Sequence, residues 1–526
     1  MRDFHQPGRS AVFADQGMCA TSHPLAAQTA VSILQQGGNA VDAAIGAAIL
    51  LGICEPQMTG IGGDMFALVA RPGDPNIIGL NASGRGPAGL EAAALRAAGH
   101  SVMPPRNAAA VTVPGAVDGF CRLSADHGRL SLAEVLAPAI HYADAGVPVA
   151  PRVAFDWANS TEGLSGKARD LFLMDGKAPR VGQRFAAPGQ AEVLRRIAKD
   201  GRAAFYEGEV AEDMVTSLNA LGGTHTMADF AATACDYVTP VRTTYRGAEL
   251  IELPPNGQGA TALLLANMLE TFDIALMAPW GAERAHLEAE ATKLAYDARN
   301  RFIADPAHMT RLDHMLSRDT AAALAGKIDM RAAMPDPKPV SESVHKETIY
   351  ITVVDKDRMA VSLIYSIFND FGSGLASDKF GILFQNRGAG FTLEDGHPNE
   401  AAGGKRPLHT IIPAFLREAD GSLMPFGVMG GAYQATGHAR FISNILDFEM
   451  SPQAAIDAPR VFSDDVGLRI ERGYAPEVQK ALADRGHKPY VSDTPIGGAQ
   501  AIRIDAKTGV LEGGSDPRKD GIALGY

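Results

Sequence analysis

Apolar residues recur at helical spacing from Pro24 to Gln36, with Ser22 placed to cap the start and Gly37-Gly38 to stop it. Asn39 then opens a second, almost wholly apolar helix that runs to about Cys54. Ser131-Leu-Ala-Glu134 is a capping box for a helix reaching Ala145. Further helices are expected at 190–200, 209–221, 260–273 and 282–303. Between them, Met65 to Ala70 and Asn76 to Asn81 read as a hairpin around Pro72-Gly73-Asp74.

Residues 331–347, RAAMPDPKPVSESVHKE, break this pattern. Pro and charged residues leave nothing to bury, so the stretch reads as a solvated linker. After it the period changes to two. Thr348, Tyr350 and Thr352 face one way, and Ile349, Ile351 and Val353 the other. Asp355-Lys-Asp-Arg358 supplies a turn, and Met359 to Phe368 a second strand. Hairpins are also expected for Thr410–Leu416 with Pro425–Met429, and for Ala499–Ile504 with Val510–Gly513. Helices followed by a strand-rich segment predict an α+β or layered α/β architecture without internal repeats.

A two-residue turn at Lys356-Asp357 sets the register of the first of these hairpins. It places Thr348 opposite Tyr365, and Ser366 opposite Glu347, with a slip of one position as the alternative. Either way the Ser366 hydroxyl lies beside the Glu347–Thr348 peptide bond. A strand-initial Thr after a flexible acidic linker, with a second hydroxyl next to it, suits an autoproteolytic junction. The Thr hydroxyl attacks the preceding carbonyl, an ester forms, and water releases a new N-terminus. The freed α-amine, with a reference pKa of about 7.7–8.0, then serves as base for the same residue's hydroxyl. Strand-initial Thr is also common for plain β-propensity reasons.

The chain has 526 residues, with 46% hydrophobic and 21% charged. That is a globular composition, and length alone suggests two to four ordinary domains. A formal net charge of -12 argues against a nucleic-acid partner. Cys19, Cys54, Cys121 and Cys235 are too few and too scattered for a disulfide framework. No His-x-x-x-His or compact Cys/His spacing predicts a metal site, and no cofactor is expected. The N-terminus lacks the apolar stretch of a secretory signal, and Ala43 to Cys54 is too short to span a bilayer, so a cytoplasmic, membrane-free protein is expected.

Several segments resemble the gamma-glutamyltranspeptidase family, in order and across nearly the whole chain. Thr348 to Val361 followed by Phe371-Gly-Ser-Gly374 is similar to the segment opening that family's small subunit. Val113-Pro-Gly-Ala-Val117, Lys405-Arg-Pro-Leu408, Val428-Met-Gly-Gly431 and Ser515-Asp-Pro-Arg518 resemble further family segments. The resemblance implies a four-layer αββα sandwich of the N-terminal-nucleophile hydrolases. It implies a proenzyme cut between Glu347 and Thr348 into segments 1–347 and 348–526, which form one catalytic domain and a heterodimer. Further pairing of such heterodimers is left open. Thr348 falls on the nucleophile, Ser366 on a supporting hydroxyl, and Gly430 and Gly431 on the oxyanion-hole amides.

The residues that recognise a glutamyl group do not carry over. The family Arg for the α-carboxylate aligns near Ser83, with Arg85 two residues on. A Gln or Glu and an Asp that hold the α-amino group align with Arg387 and Gly390. An Asn aligns with Phe368, with Asn369 following, and paired Ser residues align with His409 and Thr410. Acidic groups are lost and a cation is gained. The expected substrate is therefore a small amide with a carboxylate next to the scissile bond and no nearby amine. Oxamate fits that description. Arg387, Asn369, His409, Thr410, Ser83 and Arg85 are the candidate contacts. A gamma-glutamyl transferase acting on glutathione and an uncleaved binding protein are the alternatives. The Gly-rich stretch Thr59–Asp64 fits no phosphate loop and reads as close backbone packing, whereas 392–404 reads as a mobile lid or an ordinary surface loop.

Overall fold

The computed structural model describes residues 8–335 and 348–526. Two seven-stranded antiparallel sheets form its centre. The first runs in the spatial order Ile522–Gly525, Met18–Thr21, Ile349–Val354, Ala360–Ser366, Asp64–Ala70, Ile77–Ala82 and Asp236–Val238. The second runs Val12–Ala14, Leu511–Ser515, Gly498–Ile504, Leu423–Met429, Ala414–Arg417, Ala248–Glu252 and Val241–Tyr245.

Alternating side chains sort the layers. Tyr350, Val354 and Ile364 from the first sheet meet Phe415, Met429 and Ile502 from the second in one buried cluster between the sheets. The opposite faces carry the outer layers. Ile349, Ile351 and Val353 pack on helices that include Pro24–Gln35, Ala40–Cys54 and Leu132–Ala145. Leu250, Ala414 and Phe426 pack on Gly259–Leu269, Ala282–Phe302 and Gln434–Leu446. The result is helix, sheet, sheet, helix. Covered on both faces, the inner strands are apolar on both faces as well; all of Asp64–Ala70, Ile349–Val354 and Ala360–Ser366 is buried. A polar seam also stitches the sheets: Ser362 Oγ lies 2.7 Å from the Tyr350 hydroxyl, donates to Phe426 O at 3.3 Å and accepts Ala414 N–H at 3.1 Å.

The helix Ala40–Cys54 starts at the expected Asn39 cap, Asp42 completes a capping box there, and all fifteen of its residues are buried. The Ser131–Glu134 box is also present. The helix Pro24–Gln35 departs from expectation: its cap is His23, whose Nδ1 accepts Leu25 N–H at 3.2 Å. Ser22 instead donates to the buried Glu55 carboxylate at 2.7 Å, a partner 33 residues away that local pattern cannot reveal.

The register of the hairpin after the linker is corrected by one position. Ile349 pairs with Tyr365 and Val354 with Ala360. The loop therefore holds five residues, 355–359, and not a two-residue turn. Arg358 sits at φ 68°, the left-handed region that absorbs the extra residue. Asp355 accepts N–H groups from Asp357 at 2.9 Å, Met359 at 3.0 Å and Ala40 at 3.0 Å, tying the loop to the start of the central helix. The slip brings Ser366 opposite Thr348 itself.

Segment 392–404 is more anchored than a free lid. Leu393 and Ala401 are buried with Leu90 and Met103, and Arg96 bridges Glu400 at 2.8 Å and Asp395 at 3.2 Å. Among the described residues no helix is long and apolar enough to cross a membrane.

Candidate active site

Thr348 stands at the open end of the 349–366 hairpin, buried, with its hydroxyl 3.3 Å from that of Ser366. Glu347 lies outside the described residues. Two N–H groups point at Ser366 Oγ: Phe368 N at 2.9 Å and Arg387 Nη2 at 3.1 Å. Thr348 Oγ1 donates to this same Ser366 Oγ, which thus collects three donors.

Arg387 is fully buried and forked. Its other terminal nitrogen, Nη1, donates to Thr410 Oγ1 at 3.1 Å, and its guanidinium lies 4.1 Å above the Phe368 ring. Phe368 has φ 81°, which costs strain in a non-glycine residue. That conformation turns the strand end so that the ring lies beneath the cation. Asn369 follows, held by Asn386 Oδ1 at 3.1 Å from its N–H. Its own Oδ1 is buried without a hydrogen-bond partner among the described residues.

The chain of contacts continues to the double glycine. Gln258 Nε2 donates to Thr410 O at 2.7 Å and to Gly431 O at 3.1 Å, while its Oε1 accepts Arg299 Nη1 at 3.0 Å. Gly430 has φ 124°, and a Cβ there would lie 2.9 Å from Gly497 Cα. Only glycine fits that turn. Among the described residues, neither Gly430 nor Gly431 gives its N–H to a backbone acceptor outside the regular helices and strands.

His409 is placed beside Asp64 and not in the arginine chain. Its Nε2 lies 3.1 Å from Asp64 Oδ2, and its ring packs 4.7 Å from that of Phe66. Burial, then the nearby Arg387 charge, push its pKa down to about 3 despite Asp64. His409 is therefore neutral at pH 7. A carboxylate only accepts, so Nε2 carries the proton. Asp64 also accepts Gly84 N–H at 2.8 Å, Gly115 N–H at 3.1 Å and Gln385 Nε2 at 2.9 Å. One carboxylate thus holds together four segments around the pocket.

Asp64 is the main residue that the sequence reading passed over. The packing role given to Thr59–Asp64 stands: a Cβ on Gly63 would lie 2.4 Å from Ser366 O. The available signal was the lone charge heading the apolar run DMFALVA. Gln258, Gln385 and Asn256 had no such signal.

Ser83 is buried and locked by Asn81 and Asn256: its Oγ donates to Asn81 Oδ1 at 2.8 Å and accepts Asn256 Nδ2 at 3.2 Å. Arg85 is half-exposed and engaged by Asp305 at 3.1 Å and Gly404 O at 3.0 Å. The structure thus joins Thr348, Ser366, Arg387, Thr410 and, through Gln258, Gly431. Ser83, Arg85 and His409 belong to neighbouring networks.

A family model for gamma-glutamyltranspeptidase matches residues 26–526. The chain is 36% identical to the glutathione hydrolase-like YwrD proenzyme of Bacillus subtilis, over 98% of this chain and 99% of that one. It is also 36% identical to the oxamate amidohydrolase proenzyme of Klebsiella pneumoniae, over 97% and 98% of the two chains. In three dimensions it is similar to a cephalosporin acylase from Bacillus halodurans, with a TM-score of 0.92, 38% identity, and 100% and 99% of the two chains covered. On the sheet architecture and these full-length likenesses, the chain belongs to the gamma-glutamyltranspeptidase family of N-terminal-nucleophile hydrolases.

Proposed function

We propose that this proenzyme cuts itself between Glu347 and Thr348, and that Thr348 then hydrolyses a small amide carrying a carboxylate next to its scissile bond, with oxamate as substrate. The observation that carries this reading is the buried chain Thr348–Ser366–Arg387–Thr410.

Processing begins with attack of Thr348 Oγ1 on the preceding carbonyl carbon. The C–N bond breaks as an ester forms, and water then hydrolyses the ester. The released α-amine takes the proton of Thr348 Oγ1 as the hydroxyl attacks the substrate amide. Negative charge gathers on the former carbonyl oxygen, where the Gly430 and Gly431 N–H groups are the donors assigned to it. The amine returns its proton to the leaving nitrogen and ammonia departs. Water, deprotonated by the same amine, cleaves the acyl ester, and oxalate leaves. Ser366 accepts the hydrogen bond of Thr348 Oγ1 and, held in turn by Arg387, orients the nucleophile.

Arg387 favours an anionic substrate. Its charge is buried one hydroxyl away from the nucleophile, where a carboxylate gains most from meeting it. A gamma-glutamyl substrate brings an ammonium group that needs an acid. The carboxylate in the adjoining network is Asp64, and four donors already occupy it. Glutathione is the competing reading, supported by the likeness to the YwrD proenzyme.

Purified, processed protein given oxamate or glutathione separates the two. Ammonia and oxalate from oxamate, without cysteinylglycine from glutathione, is the expected result. Cysteinylglycine release without ammonia from oxamate would replace the substrate assignment and leave the Thr348 mechanism in place.

A further inference from the structure

A second cluster of chemistry-bearing side chains lies away from the nucleophile. Helix Ala282–Phe302 carries His286 and Glu290 four residues apart, on one face, and the chain just after helix Pro476–Asp484 brings His487 against them. One nitrogen or oxygen atom from each lies within 4.8 Å of the others. His286 and Glu290 are fully buried, and His487 is 8% exposed.

The ring of His286 is set for ligation. Its Nε2 lies 2.9 Å from the carbonyl oxygen of Asp329. A carbonyl only accepts, so Nε2 carries the proton and Nδ1 turns a lone pair into the cluster. Metal-binding histidines are fixed in this way, with one nitrogen on a backbone carbonyl and the other on the ion. His286 Nδ1 is 2.7 Å from His487 Nε2. Glu290 Oε2 accepts Met334 N–H at 2.7 Å, and Lys293 Nζ lies 3.1 Å from Oε1.

We propose that His286, Glu290 and His487 form a binding site for one divalent transition-metal ion of the zinc class. Two imidazoles and a carboxylate suit zinc, whereas magnesium and calcium prefer oxygen ligands alone. Zinc–nitrogen bonds of about 2.0–2.1 Å at a tetrahedral angle set the two nitrogens roughly 3.4 Å apart. The 2.7 Å imidazole pair therefore opens by less than ~1 Å to admit the ion. His487, at the surface end, is the ring that moves, and its proton shifts from Nε2 to Nδ1. Water fills the fourth position. Lys293 holds the compensating charge in the metal-free protein and competes with the ion for Glu290. The same residues grip the backbone of Asp329 and Met334, so a bound ion stiffens the end of the segment that leads to the linker. Linear spacing misses the site because the third ligand comes from a distant part of the chain.

The test is zinc titration of chelator-stripped full-length protein by calorimetry, with cobalt(II) absorption as a second readout. The expected result is one ion per chain, visible cobalt bands of a four-coordinate site, and a rise in the unfolding midpoint. Affinity falls at least ten-fold in His487→Ala, whose fold is checked by circular dichroism. Lys293→Gln removes the competitor and tightens binding, a gain that misfolding cannot mimic. Absence of saturable one-to-one binding in the wild type, or wild-type affinity in His487→Ala, overturns the proposal.

Discussion

Arg387 reaches Ser366 with one terminal nitrogen and Thr410 with the other, and its plane lies over Phe368. Lysine offers a point charge without the fork or the stacking plane. Arg387→Lys is therefore expected to lower kcat/KM for oxamate by roughly 30- to 1000-fold, the cost of about 2–4 kcal/mol for disrupting a buried, hydrogen-bonded cation. An uncharged amide of the same size should lose far less, and the ratio of the two kcat/KM values is the measurement. His409 makes a prediction about acid stability. Its folded pKa, about 3, lies below its ordinary 6.5. Between those values the unfolded chain binds the proton and the folded chain does not. His409 thus costs no stability above pH 6.5 and progressively more as pH falls toward 3. Glu55, raised by burial to about 7, acts in the opposite sense over roughly pH 4.5–7, so the difference between proteins is the informative quantity. Urea midpoints of wild type and His409→Gln at pH 7, 5 and 4 should show the wild type losing more on acidification. Thr348 and Ser366 were legible in the sequence because alternation and one hairpin bring them together. Asp64 was not, because its four partners come from four separate segments.

The hairpin 349–366 carries Thr348 at its open end, and its loop sets the register. Asp355 satisfies three backbone N–H groups, one of them at the start of the central helix. Asp355→Ala leaves those donors without their acceptor and is expected to cost about 2–4 kcal/mol. A lowered thermal midpoint and slower appearance of the cleaved form, followed by denaturing gel, are the checks. The same loop explains the one-residue slip in the sequence reading. An Asp-Lys-Asp-Arg stretch suits a tight turn, and nothing in it announces that Arg358 will take a left-handed conformation. The arginine is held there by carbonyls from Gly509 at 3.0 Å and Asp15 at 2.8 Å, both remote in sequence. The Asn39 cap and the Ser131 capping box were readable because their partners lie within one helical turn. Segment 392–404 was less so, since polar composition hides the two apolar anchors, Leu393 and Ala401.

Across the whole molecule, residues 8–335 and 348–526 both contribute strands to each sheet. Ile349–Val354 lies between Met18–Thr21 and Ala360–Ser366, and Ala414–Arg417 lies between Ala248–Glu252 and Leu423–Met429. Local periodicity gave helices, strands and an α+β class, while the four layers came from the family resemblance. Pairing between strands hundreds of residues apart leaves no trace in a short window of sequence. The proposed cut would place a new N-terminus on an inner strand that is already paired on both sides. Intact-mass spectrometry of purified wild type and Thr348→Ala tests this most directly. Two wild-type fragments with masses for 1–347 and 348–526, and an uncut variant, are the predicted result. A single full-length wild-type chain in folded protein, or a variant cut at the same bond, would contradict it.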